Sequence, residues 1–178
     1  MAENVYLKNR PGTDSLIASF RGAIAAEFTH NVPTEYVDAM VVDDKDAGTI
    51  KAYKVSVTGG YKVVIASTQN ICTNEMSFAS FFKMFDKLES VQFDNINTSK
   101  STSFVGMFSG CKALKSVDMK KFNTANVTEF GWMFDKGCDS LVRIEIGPEF
   151  IINNNASLHF MFENCSSLTD IVVPAGTD

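Results

Sequence analysis

The sequence predicts an α/β repeat architecture. The expectation is a solenoid of about four turns with parallel strands, set behind an N-terminal cap of one helix and antiparallel strands. Three observations predict it. An apolar phrase recurs down the second half of the chain at a fixed interval. Within each copy, helix-like spacing gives way to strand-like alternation. The first 75 residues lack the phrase and carry other signals. These divide the chain into a cap at 1–75 and a repeat region at 76–178.

Residues 1–13 are polar and contain Pro11-Gly12, a turn signal, so they read as an extended arm. Thr13 or Asp14 is placed to cap a following helix, because a short side-chain oxygen accepts from a first-turn N–H. Ile17, Phe20, Ile24 and Phe28 then recur at spacings of three and four, which predicts an apolar helix face against the core. Ala18, Arg21, Gly22 and Ala25 form its other side. His30 to Pro33 ends the helix, since the residue before proline avoids the helical region.

Tyr36 to Val42 reads as a strand. The acidic turn Asp43-Asp44-Lys45-Asp46 lacks the full ligand set of a calcium loop, so it is expected to be a solvated turn. Ile50 to Val57 and Tyr61 to Thr68 read as two strands joined at Thr58-Gly59-Gly60, where glycine supplies the positive φ of a tight hairpin. Tyr53, Val55 and Val57 on one strand, and Tyr61, Val63 and Ile65 on the other, are expected to face inward together.

The repeats begin at Phe81-Phe82-Lys83-Met84-Phe85, followed by Leu88, Val91 and Phe93. Fuller copies follow at Phe104 to Phe108, Phe130 to Phe134 and Leu158 to Phe162. Each of these adds a cysteine (Cys111, Cys138, Cys165), a leucine and a pair of apolar residues in alternation. Phe or Leu at i, Met at i+3 and Phe at i+4 would share one side of a helical turn. The closing two-residue step is strand periodicity. Leu88, Leu114, Leu141 and Leu168 stand 26, 27 and 27 apart, within the range of leucine-rich repeats. Asn97-Thr98-Ser99, Asn123-Thr124-Ala125-Asn126 and Asn153-Asn154-Asn155 form polar connectors whose side chains can bond nearby main chain.

The run from Met107-Phe108-Ser109-Gly110-Cys111 through Leu114, Val117 and Met119 to Phe122-Asn123-Thr124-Ala125-Asn126-Val127-Thr128 resembles the BspA-like leucine-rich repeat of bacterial surface proteins. The resemblance spans about residues 76–174. It implies a parallel-stranded solenoid and a cell-surface location, with some members acting as adhesins. The first residues, Met1 to Lys8, lack the basic and apolar regions of a signal peptide. A virion location is the other expectation.

Composition narrows the function classes. A net charge of −5 disfavours binding to nucleic acid through a basic surface. No apolar run is long enough for a transmembrane helix, so no membrane insertion is expected. The cysteines form no C-x-x-C pair, and no cofactor or metal is expected. A column of three thiols in register reads as small buried hydrophobes. Only two histidines exist, and His159 with Cys165 is the single Cys–His arrangement worth weighing; equivalent cysteines recur without a histidine.

The expected function is therefore non-enzymatic: protein–protein interaction or assembly through a rigid repeat surface, such as surface adhesion. A bacteriophage virion component and, from another class, a Cys-dependent enzyme are the alternatives. The candidate partner-binding face is the outward file of the strands: Gln92, Asp118, Arg143, Glu145, Asp170 and Val172. The last strand, Leu168 to Val173, has no cap in the sequence. A protein partner, or the chain's own copy, is expected to cover that C-terminal end.

Overall fold

The structure is a computed structural model and describes residues 4–8, 17–43, 47–76 and 78–175. Of the arm expected at 1–13, residues 4–8 are described and Asn4–Tyr6 is a strand paired with Asn70–Cys72 rather than a free arm; the rest of it, the caps Thr13 and Asp14, and the turn residues Asp44 to Asp46 lie outside the described residues.

Among the described residues ten strands occur: β1 (Asn4–Tyr6), β2 (Ala25–Thr29), β3 (Asp38–Val41), β4 (Lys51–Val57), β5 (Gly60–Ala66), β6 (Asn70–Cys72), β7 (Ser90–Phe93), β8 (Ser116–Met119), β9 (Arg143–Ile146) and β10 (Asp170–Val172). They form a five-stranded mixed sheet in the order β3-β4-β5-β2-β7, a parallel three-stranded sheet β8-β9-β10, and a parallel pair β1-β6. Among the described residues the one helical element is a 3₁₀ turn at Ala18–Phe20.

The expected α/β leucine-rich-repeat solenoid with an N-terminal helix is therefore not what the chain builds. The helix predicted from Ile17, Phe20, Ile24 and Phe28 is a 3₁₀ turn, a turn at Arg21-Gly22, a bend at Ile24, and then strand β2. Helix-like spacing was outweighed by long-range pairing. β2 lies between β5 and β7 and is parallel to both, so its main chain is bonded on each side. Ala26 and Phe28 alternate into the core, while Glu27 pairs with Lys62 at 3.0 Å on the other face. The Phe28 ring stacks on Phe93 at 5.2 Å, which ties this sheet to the first repeat.

The β4–β5 hairpin forms with Val57 opposite Gly60 and Gly59 at φ 88°. The face assignment differs from expectation. Residues directly opposite share a face, and Tyr53 lies opposite Val64 while Ala52 lies opposite Ile65. Val63 and Ile65 enter the main core; Tyr53, Val64 and Ala66 form a separate cluster on the outer face, with Ala39 and Val55 against it. Asp43 is buried, and its carboxylate accepts from the N–H groups of Ala47, Thr49 and Ile50 at 2.8, 2.9 and 3.3 Å. It organises its own turn.

The repeats stack as layers. Val117 lies beside Ile144 and Ile144 beside Ile171, so equivalent residues occupy columns. The Phe-Met phrase that was expected to make a helical turn makes a succession of β-turns. Alternate N–H groups close turns within a layer, as from Met107 to the Phe104 carbonyl and from Ser109 to that of Gly106. The intervening N–H groups reach the next layer: Phe104 to Glu129, Gly106 to Gly131, Phe108 to Met133. The backbone permits this because two positions in each layer are left-handed. One column is Ser80, Gly106, Trp132 and Phe160 (φ 53–62°); the other is Met84, Gly110, Lys136 and Asn164 (φ 60–81°). A residue in that region every fourth position is incompatible with an α-helix.

The layers also correct the register of the first repeat. The Phe82 ring stacks on Phe108, Phe108 on Phe134 and Phe134 on Phe162, at 5.5, 5.3 and 5.6 Å and within 9° of parallel. Phe82, not Phe85, is thus the partner of Phe108. Phe85 occupies the cysteine column, three residues before Leu88 as Cys111 is before Leu114.

Candidate functional site

The predicted strand face is divided. Asp118 lies beside Glu145 and Glu145 beside Val172; Arg143 lies beside Asp170. Gln92 belongs to the other sheet, where its neighbour is Glu27 on β2. On the three-stranded sheet the charges satisfy one another. The Lys120 ammonium sits 3.1 Å from Asp118 and 2.7 Å from Glu145, and Arg143 donates to Glu145 at 2.9 Å. Bonds from Lys120 and Arg143 hold the Glu145 carboxyl below its ordinary range, and bonds to Glu145 and Asp118 raise Lys120. This network is solvent-exposed, so it is screened and contributes little to stability.

The cysteine column is free of disulfides. Each thiol donates one layer back: Cys111 to the Phe82 carbonyl (3.1 Å), Cys138 to Phe108 (3.2 Å) and Cys165 to Phe134 (3.2 Å). Burial pushes the Cys111 thiol far up, and a bond with Cys165 together with burial does the same to Cys138; that bond lowers Cys165. His159 Nδ1 pairs with Ser157 Oγ at 2.9 Å. The Cys165 thiol and the His159 ring are each engaged elsewhere. Among the described residues no group of three or more His, Cys, Asp or Glu side chains is placed to hold a metal ion, and no helix is long and apolar enough to cross a membrane.

One feature was not assigned from the sequence. Trp132 and Phe160 stand between the interior positions of their phrases, where nothing was assigned; they are 44% and 55% exposed and stack on each other at 5.9 Å. Both are bulky residues at left-handed φ, a costly conformation. Trp132 walls a groove of about 360 Å³ that also carries Lys83, Asp135 and Lys136. The signal was present in Gly106: a slot that takes glycine in one layer need not be core in the next.

The final layer is open, as its strand was expected to be. Ile171 and Val173 continue inward-facing columns but are 50% and 51% exposed. With Leu158, Phe162, Ile152 and the partly buried Phe150, Ile171 leaves an apolar hollow of about 290 Å³, floored by Phe134, Ile144 and Met161. Its hydrogen-bonding edge is one-sided. The carbonyls of Ser157, His159 and Met161 accept from Phe130, Trp132 and Phe134 of the layer behind. The carbonyls of Leu158, Phe160 and Phe162 close turns within their own layer. The N–H groups of Leu158, Phe160 and Phe162, whose counterparts one layer back donate forward, meet no acceptor among the described residues.

Fold and site together define a layered scaffold of parallel strands and left-handed turns, with one apolar, donor-lined end. The chain belongs to the family described as "Mycoplasma protein of unknown function, DUF285", whose model matches residues 66–173. This corrects the resemblance to BspA-like leucine-rich repeats. The recurring Met-Phe, Cys and Asn-Thr elements are carried here by turns, and the matching family is a different one. Comparison with curated proteins finds no match, and comparison with solved structures finds none either.

Proposed function

We propose that the protein is a non-enzymatic interaction or assembly module, and that its working surface is the C-terminal end of the layer stack. The observation that carries this reading is the concentration of exposed apolar side chains there: Ile152, Leu158, Phe162 and Ile171 around the hollow, with Phe160 and Val173 exposed in the same layer. Exposed apolar side chains scattered singly are ordinary, but a contiguous set around a hollow marks an interaction site. On the strand face first considered, Asp118, Arg143 and Glu145 are neutralised within one network with Lys120, and buried aromatic anchors are what usually dominate binding energy. The thiols favour a structural role over catalysis. Reactivity needs a thiolate; burial opposes it at Cys111, and the hydrogen bond with Cys165 together with burial opposes it at Cys138.

The test is site-directed photo-crosslinking in the cell that makes the protein. A benzophenone side chain at position 162 is compared with one at position 92. A single defined protein adduct from position 162 and none from position 92 is the expected result. Equal labelling from both, or labelling from position 92 alone, overturns the assignment.

A further inference from the structure

We infer that the C-terminal end is a polar docking edge that excludes the chain's own copies and takes an extended polypeptide segment from a partner protein as one more layer. This rests on the proposed interaction role and specifies the partner. The reasoning concerns hydrogen-bond direction. In every interior layer, alternate N–H groups of the turn run donate forward to carbonyls of the next layer: Phe130 to Ser157 at 2.9 Å, Trp132 to His159 at 2.8 Å, Phe134 to Met161 at 3.0 Å. The stack therefore has a sense, like a helix, and its last layer presents N–H groups and no main-chain acceptors from Ser157 to Phe162. Covering that edge without supplying carbonyls would bury donors unpaired, which is strongly disfavoured.

Two copies meeting end to end would bring donor row against donor row. Head-to-tail stacking fails for another reason. At the opposite end of the stack the edge of β7 is already taken by β2, the Glu89 N–H donates to the Ile24 carbonyl at 2.8 Å, and the Lys83 carbonyl accepts from Arg21 Nε at 3.1 Å. The occupant that fits is a segment offering carbonyls at alternate residues, an aromatic ring to continue the column ending at Phe162, and a short strand parallel to β10. This is strand addition to an exposed edge, extended by an apolar pocket.

A synthetic peptide with the sequence of residues 155–175 is a suitable probe, because those residues already form such a layer on the layer behind them. The expected result is saturable binding that slows amide hydrogen exchange at Leu158, Phe160 and Phe162 by roughly tenfold or more. A scrambled peptide should not do so, and Phe162→Asp should abolish binding. Sedimentation of the protein alone should show a monomer. A dimer whose formation protects those three amides overturns the inference, as does peptide binding that leaves them unprotected. If crosslinking from position 162 finds a partner while the peptide fails, the docking mode is wrong and the interaction role survives. If both fail, the role falls too.

Discussion

The leucine column offers the most direct measurement of where the stack is closed and where it is open. Leu88, Leu114 and Leu141 are fully buried, whereas Leu168, at the equivalent place in the last layer, is only partly buried. Changing Leu141 to Ala removes three carbons, worth about 2.4 kcal/mol at about 0.8 kcal/mol each. The cavity left between layers that cannot close fully brings the expected loss to about 3–4 kcal/mol. Leu168→Ala leaves no enclosed cavity, because one side of that layer already faces solvent, so the expected loss is about 1 kcal/mol. Urea unfolding followed by the single tryptophan, Trp132, measures both. A Leu168→Ala loss as large as that of Leu141→Ala would refute the reasoning, since it would mean the terminal layer is covered in solution. A Leu141→Ala loss under about 1 kcal/mol would show that the column is not the core.

Three other outcomes test separate parts of the fold. Lys136 is exposed at φ 60° in a column where Gly110 is the glycine, so Lys136→Gly should stabilise by about 0.5–1 kcal/mol; a clear loss in the same urea assay would count against the left-handed turn run. Burial raises Cys111 in the fold, whereas an unfolded thiol ionises above about pH 8.5. Stability is then fully present below that pH and falls as pH rises toward the folded value, by roughly 1.4 kcal/mol per unit for this thiol. The pH slope above 9 should shrink in Cys111→Ala, and an unchanged slope would sink the argument. Asp118→Ala removes only an exposed partner of Lys120, so the denaturation midpoint should move by less than about 0.5 kcal/mol equivalent; a larger shift would make the charge network structural.

The periodic core was legible because apolar spacing survives whatever the backbone does between the spaced residues. The leucine and cysteine columns were found from intervals alone, as were the methionines of the three fuller copies but not Met84, which is exposed where Phe81 fills that column; the hairpin was found from its glycines. Connector threonines were expected to bond nearby main chain; they bond across layers instead. Thr98 pairs with the main chain of Asn123 at 2.8 and 2.9 Å, and Thr124 with that of Ile151 at 2.7 and 2.6 Å. Local chemistry announces such a polar side chain but does not say which strand it will reach.

What this sequence determined by itself is the repeat, its interval and most of the residues that fill the interior of the middle layers; Met84, Leu158, Phe162, Ile171 and Val173 share the pattern and are exposed. Tertiary structure decided the conformation of the phrase. Phe at i with Met and Phe at i+3 and i+4 suits one turn of helix, yet the same side chains reach the core from β-turns once a neighbouring layer accepts every second N–H. That acceptor lies a full repeat away and leaves no trace in local spacing. The same holds for Ala25–Thr29, which is a strand only because β5 and β7 flank it. It also explains why Trp132 and Phe160 stand outside: a left-handed residue turns its side chain away from the core, and only the stacked backbone shows which residue that is.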